Sequence, residues 1–76
     1  MKVHEFATKE NAGKKIRIYC GEYSITRTAD DLIPDTNPDI LNDEVIKIRT
    51  TNNGSTIHLY LYPSMKRHKI FNKVRG

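Results

Sequence analysis

The segment from Glu44 to Pro63 constrains the fold more than any other part of the chain. It reads EVIKIRT, then TNNGS, then TIHLYLY, so two alternating runs flank an Asn-Gly pair. Asn53 and Gly54 suit the centre of a type I′ turn, where both positions need positive φ, which Gly tolerates freely and Asn better than most residues. Counting outward from that turn sets Asn52 against Ser55, Thr50 against Ile57, Ile48 against Leu59 and Ile46 against Leu61. The opposite side then carries Arg49 with His58, Lys47 with Tyr60 and Val45 with Tyr62. Aliphatic pairs fall on one side, and basic or aromatic pairs, Val45 excepted, on the other. A slip of one residue would undo the sorting on both sides, so the register is specified by the side chains as well as by the turn. The expected inward residues of this ribbon are Ile46, Ile48, Leu59 and Leu61.

A second strand signal runs from Lys14 to Cys20, with Ile16, Ile18 and Cys20 on one parity and Lys15, Arg17 and Tyr19 on the other. Gly21-Glu22 marks a bend, after which Glu22 to Thr28 resumes with β-branched residues as a second strand, either paired to the first through a tight turn or continuing it after a bulge. Residues 1–7 are expected as an edge strand, and Thr8 to Gly13 as a loop or one helical turn closed by Gly13. Thr28 can cap a helical turn over Ala29 to Ile33 that Pro34 stops, and Asn37 followed by Pro38 repeats the cap-then-proline start of a helix. Residues 29–43 are thus expected to form an acidic crossover with one or two short helical turns. In the segment 66–76, Ile70, Phe71 and Val74 suit either one helical turn or an added strand. The expected fold is mainly β: a small antiparallel barrel or curved sheet of four to five strands with one or two short helical turns.

At 76 residues the chain is one small domain, 1–76, ending in a basic tail, 66–76. A chain of this length buries only about 60% of the surface its unfolded form exposes, so its core is thin. Its single cysteine forbids an internal disulfide, which fits a reducing compartment. No apolar run near the N-terminus resembles a signal peptide and none is long enough to span a bilayer, so a soluble, cytoplasmic protein without membrane contact is expected. The formal net charge of +4 is unevenly placed. Asp30 to Glu44 holds six carboxylates and no Lys or Arg, whereas Lys66 to Arg75 holds five Lys or Arg and no carboxylate.

Catalytic and metal-binding patterns fail in turn. Cys20 shares parity with Ile16 and Ile18, which makes it a core residue rather than an activated thiol. His4, His58 and His68 are too far apart for a metal-binding helix or knuckle. The carboxylates of 30–43 lack the ligand spacing and sharp-turn glycine of a calcium loop, so no metal and no cofactor are expected. Gly13-Lys14-Lys15 lacks the earlier glycine and the following Ser or Thr of a phosphate loop. No enzyme constellation emerges.

What remains is a surface. The outward parity of the best strands collects Arg17, Tyr19, Lys47, Arg49, His58, Tyr60 and Tyr62, beside Lys15, and the tail adds Lys66, Arg67 and Lys69. Cations interleaved with flat rings suit single-stranded nucleic acid, where rings stack on bases and Lys or Arg neutralise phosphates. The expectation is a small non-enzymatic nucleic-acid-binding protein. The alternative is a small regulator or inhibitor of a larger protein machine, of the kind phages and plasmids encode, docking through an acid-rimmed patch of Leu32, Ile33, Ile40 and Leu41 if the sheet leaves these uncovered.

Overall fold

A computed structural model describes residues 1–63. Four strands form one sheet: β1 (Lys15–Cys20), β2 (Tyr23–Thr28), β3 (Val45–Thr51) and β4 (Thr56–Leu61), ordered β2-β1-β4-β3. Pairs β1–β2 and β3–β4 are antiparallel hairpins, but β1 and β4 run parallel. The sheet is therefore mixed and open: the chain is mainly β and compatible with the expected curved sheet, but it does not close into a barrel and its pairing is only partly antiparallel. Parallel neighbours require a long connection, and residues 29–44 supply it by carrying the chain from the β2 edge to the β3 edge. The crossover contains α1 (Leu32–Asp35) and α2 (Pro38–Leu41). Its Leu32, Ile40 and Leu41 are buried, so traversing the sheet is also what closes the core.

Register turns the sheet into a grid. On the core side the rows from β2 to β3 are Arg27–Ile16–Ile57–Thr50, Ile25–Ile18–Leu59–Ile48 and Tyr23–Cys20–Leu61–Val45. Ile16, Ile18, Cys20, Ile25, Ile57, Leu59 and Leu61 are buried beneath Val3, Phe6, Ala29, Leu32, Ile40 and Leu41. Cys20 is wholly buried, as its parity predicts. Thr36 is buried as well, and its Oγ1 has no hydrogen-bond partner among the described residues.

The hairpin turn forms where the Asn-Gly pair places it. Asn53 and Gly54 have φ of 58° and 85°, and Ser55 N–H donates to Asn52 O at 3.1 Å. Asn52 also adopts positive φ, so the ladder closes one pair earlier, at Thr51–Thr56. The expected register holds from Lys47 to Thr50 and then breaks. A bulge between Val45 and Lys47 sets Val45 against Leu61, so Ile46 does not face Leu61 and Val45 does not face Tyr62. Ile46 and Ile48 are 59% and 48% exposed, against the expectation that both lie inward. Ile48 shares the core side with its partner Leu59, but on β3 only Val45 packs against the core, and Ile48 is left uncovered. Pairing fixes the side a residue faces; only another element can cover it.

The crossover and N-terminus bring smaller corrections. Residues 1–7 are not an edge strand: Val3–Phe6 is a 3₁₀ turn, tied to the start of β3 through a Lys2–Glu44 bridge. In a 3₁₀ turn positions i and i+3 eclipse, which is how Val3 and Phe6 both reach the core. A second 3₁₀ turn, Lys9–Asn11, precedes Gly13 at φ 80°. Pro34 does not stop α1 but lies inside it, in a first turn where its missing N–H costs nothing. Asn37 caps α2 as expected, its Oδ1 accepting from Asp39 N–H at 2.8 Å. The expected docking patch dissolves, because of Leu32, Ile33, Ile40 and Leu41 only Ile33 is exposed. Ile70, Phe71 and Val74 lie outside the described residues.

Candidate nucleic-acid interface

The face opposite the core has its own grid. Its rows read Thr28–Lys15–Thr56–Thr51, Thr26–Arg17–His58–Arg49 and Ser24–Tyr19–Tyr60–Lys47. Every position is a cation, an aromatic ring or a hydroxyl, and none is a carboxylate. The described residues hold eight Lys or Arg against nine Asp or Glu, so this concentration is a property of the face and not of the bulk composition. Lys15 and Arg17 stand on β1, Lys47 and Arg49 on β3, and all four are exposed. Two cationic rails therefore flank β4, which carries no Lys or Arg.

Parallel pairing of β1 with β4 is what assembles this surface. It puts Tyr19 beside Tyr60 with ring centroids 4.7 Å apart and planes 9° from parallel. That separation matches the spacing between neighbouring strands, about 4.8 Å, so the ring normals point mainly from strand to strand. The rings stand on edge with a rim toward solvent, and the Tyr19 hydroxyl turns onto His58. Lys47 Nζ lies 5.5 Å from the Tyr60 centroid on the β3 side, and the Arg17 guanidinium 5.4 Å from the Tyr19 centroid. Arg17 also reaches Ser24 Oγ on β2 at 3.3 Å. A row of Ser24, Arg17, Tyr19, Tyr60 and Lys47 thus crosses all four strands. Separating it would forfeit a ring pair worth about 0.5–1.5 kcal/mol and cation–π contacts of about 0.5–1 kcal/mol each. A stacked base would return about 1–3 kcal/mol. The two nearly cancel.

His58 is where parity misleads. It lies on the face that alternation gives to solvent, yet it is only 8% exposed. Arg17 and Arg49 flank it in register, and the Tyr19 ring stacks on it at 5.7 Å. Nδ1 lies 2.8 Å from Tyr19 Oη and Nε2 2.8 Å from Thr51 Oγ1. Each hydroxyl can donate or accept, so either neutral tautomer is satisfied. His58 is a keystone of the face more than a contact residue. His58→Ala is expected to destabilise the domain by about 2 kcal/mol, one for each hydrogen bond. Chemical denaturation checks this, and an unchanged midpoint would show that the two bonds contribute nothing.

Of the residues expected at the site, the structure brings Arg17, Tyr19, Lys47, Arg49, His58 and Tyr60 together. Tyr62 follows the end of β4 and is 64% exposed, outside the grid. Lys66, Arg67 and Lys69 lie outside the described residues. The hydroxyl row of β2, Ser24 and Thr26, and the Thr51 contact to His58 escaped sequence reasoning; the period-two pattern of 22–28 held the signal, but nothing local ordered the strands. Elsewhere, an open depression of about 330 Å³ is lined by Ala7, Thr8, Lys9, Ala12, Ala29, Asp30 and Ile33. No three His, Cys, Asp or Glu among the described residues come together as a metal set, and no helix there is long and apolar enough to cross a membrane. Comparison with models of known families, with curated proteins and with solved structures finds no match to this chain.

Proposed function

We propose that this chain is a small, non-enzymatic binding protein whose cationic sheet face holds single-stranded nucleic acid. One observation carries it: a three-row, four-strand face made of cations, rings and hydroxyls, with no carboxylate, in a domain otherwise rich in acid. A solvated face needs no such segregation, since interspersed charges serve solubility at least as well. The direct test is a titration of a labelled single strand with the full chain at several salt concentrations. Three phosphate contacts, through Arg17, Lys47 and Arg49, each contribute about 0.7 to the slope of log affinity against log salt, which predicts a slope near −2 from the sheet and a steeper one with the tail. Absence of binding at low salt would end the proposal.

A second function, regulation of a larger protein, draws on Ile46 and Ile48. Both side chains are exposed, Ile48 on the core side of the sheet and Ile46 at the bulge, two residues after the acidic Glu44. Affinity capture from nuclease-treated lysate separates the two. A stoichiometric protein retained by the parent and lost with Ile48→Asp favours the regulator, whereas a partner lost on nuclease treatment favours nucleic acid.

A further inference from the structure

Resting on the nucleic-acid function just proposed, the geometry points to a narrower ligand: we infer that the face grips the sugar–phosphate backbone and leaves the bases unstacked, so that any flexible polyphosphodiester fits it irrespective of base. A stacking platform needs an open ring face, and the two tyrosines of the grid have none to spare. Tyr60 is covered by Tyr19 on one side and Lys47 on the other, and Tyr19 by Tyr60 and Arg17. The third ring, His58, is 8% exposed and bound through both nitrogens. What the grid offers to solvent is mainly charge and hydroxyl, and the exposed ring of Tyr62 lies beyond it. Along each rail the cations are two residues apart, Lys15 to Arg17 and Lys47 to Arg49, a pitch of about 6.7 Å that successive phosphates of an extended strand can follow. The rails themselves lie two strand spacings apart, about 10 Å. The edge-on pair of Tyr19 on β1 and Tyr60 on β4 packs against Arg17 and Lys47, which gives the aromatic residues a role without base contact. Sequence recognition has no foothold on such a surface, because phosphate contacts position a strand and base edges specify it.

The test compares an oligothymidylate with an abasic phosphodiester strand of the same length, each titrated with the full chain at matched salt. Backbone recognition predicts affinities within about twofold and equal salt slopes, whereas a stacking site would lose roughly fivefold to a hundredfold for each base removed. The doubly substituted variant Lys47→Ala/Arg49→Ala should weaken both strands alike and flatten both slopes by about 1.4. If oligothymidylate binds and the abasic strand does not, backbone-only recognition is overturned while nucleic-acid binding stands. If neither strand binds, both fall together. Equal binding that the double variant leaves untouched would also overturn the inference, because the grip would then lie away from the rails.

Discussion

Leu59→Asp is expected to leave the chain unfolded at room temperature, while Ile48→Asp, its cross-strand partner on the same side of the sheet, is expected to fold. Leu59 has no exposed surface and sits at the centre of the core grid, between Ile18 and Ile48. A carboxylate there has apolar register neighbours, Ile18 and Ile48, and an unpaired buried charge costs several kcal/mol even after relaxation. Domains as a class have only about 5–15 kcal/mol in hand, and one with so thin a core belongs at the low end. Ile48 is about half exposed, so its substituent reaches water. Its cost should stay within about 1 kcal/mol, the span of strand propensity, or a fall in melting temperature of about 4–8 °C. Circular dichroism melts of the two variants decide the matter. Equal damage from both would mean that something covers β3, and equal tolerance would mean that the core is misplaced.

Replacing Arg17, Lys47 and Arg49 together by alanine is expected to remove the sheet's contribution to single-strand binding. Three phosphate contacts account for a weakening of about twentyfold between 50 and 200 mM salt, and the triple variant should lose that share of the salt dependence. The five Lys or Arg of 66–75 would add an electrostatic attraction of their own, which a deletion controls for. Deleting 66–76 should therefore lower affinity at every salt concentration but preserve the loss caused by the triple substitution. Should the deletion alone abolish binding and the triple variant match its parent, the sheet face is a solvated surface and nothing more. The three side chains are exposed, so the variant should stay folded.

Local patterns carried a large share of both the fold and the site. Alternation in 14–20, 22–28 and 44–62 named all four strands, because a sheet with one covered side imposes a period of two on side-chain chemistry. The Asn53-Gly54 pair set the hairpin register through Thr50 and Lys47, since positive φ at two adjacent positions admits few residue types. Asn37 and Pro38 announced α2 through a cap that is itself local. The same parity grouped Arg17 and Tyr19 on one strand, Lys47 and Arg49 on another, and His58 and Tyr60 on a third.

How those three strands stand relative to one another was decided only in three dimensions. Placing β4 beside β1, in parallel, depends on where the crossover buries Leu32, Ile40 and Leu41, a long-range competition that no neighbouring residues encode. That placement stacks Tyr19 on Tyr60 and buries His58 between two arginines, so an outward residue by parity becomes an interior one in fact. The bulge at Ile46 and the uncovered Ile48 have the same origin, for alternation records which side a residue faces, and the extent of the covering layer depends on elements distant in sequence. The sequence by itself therefore determined the strands, the turn and the chemistry of each face, all set by steric and hydrophobic rules acting within a few residues. Tertiary structure alone decided the strand order, the edge-on rings and the limits of the core, because burial is a property of the assembled layers.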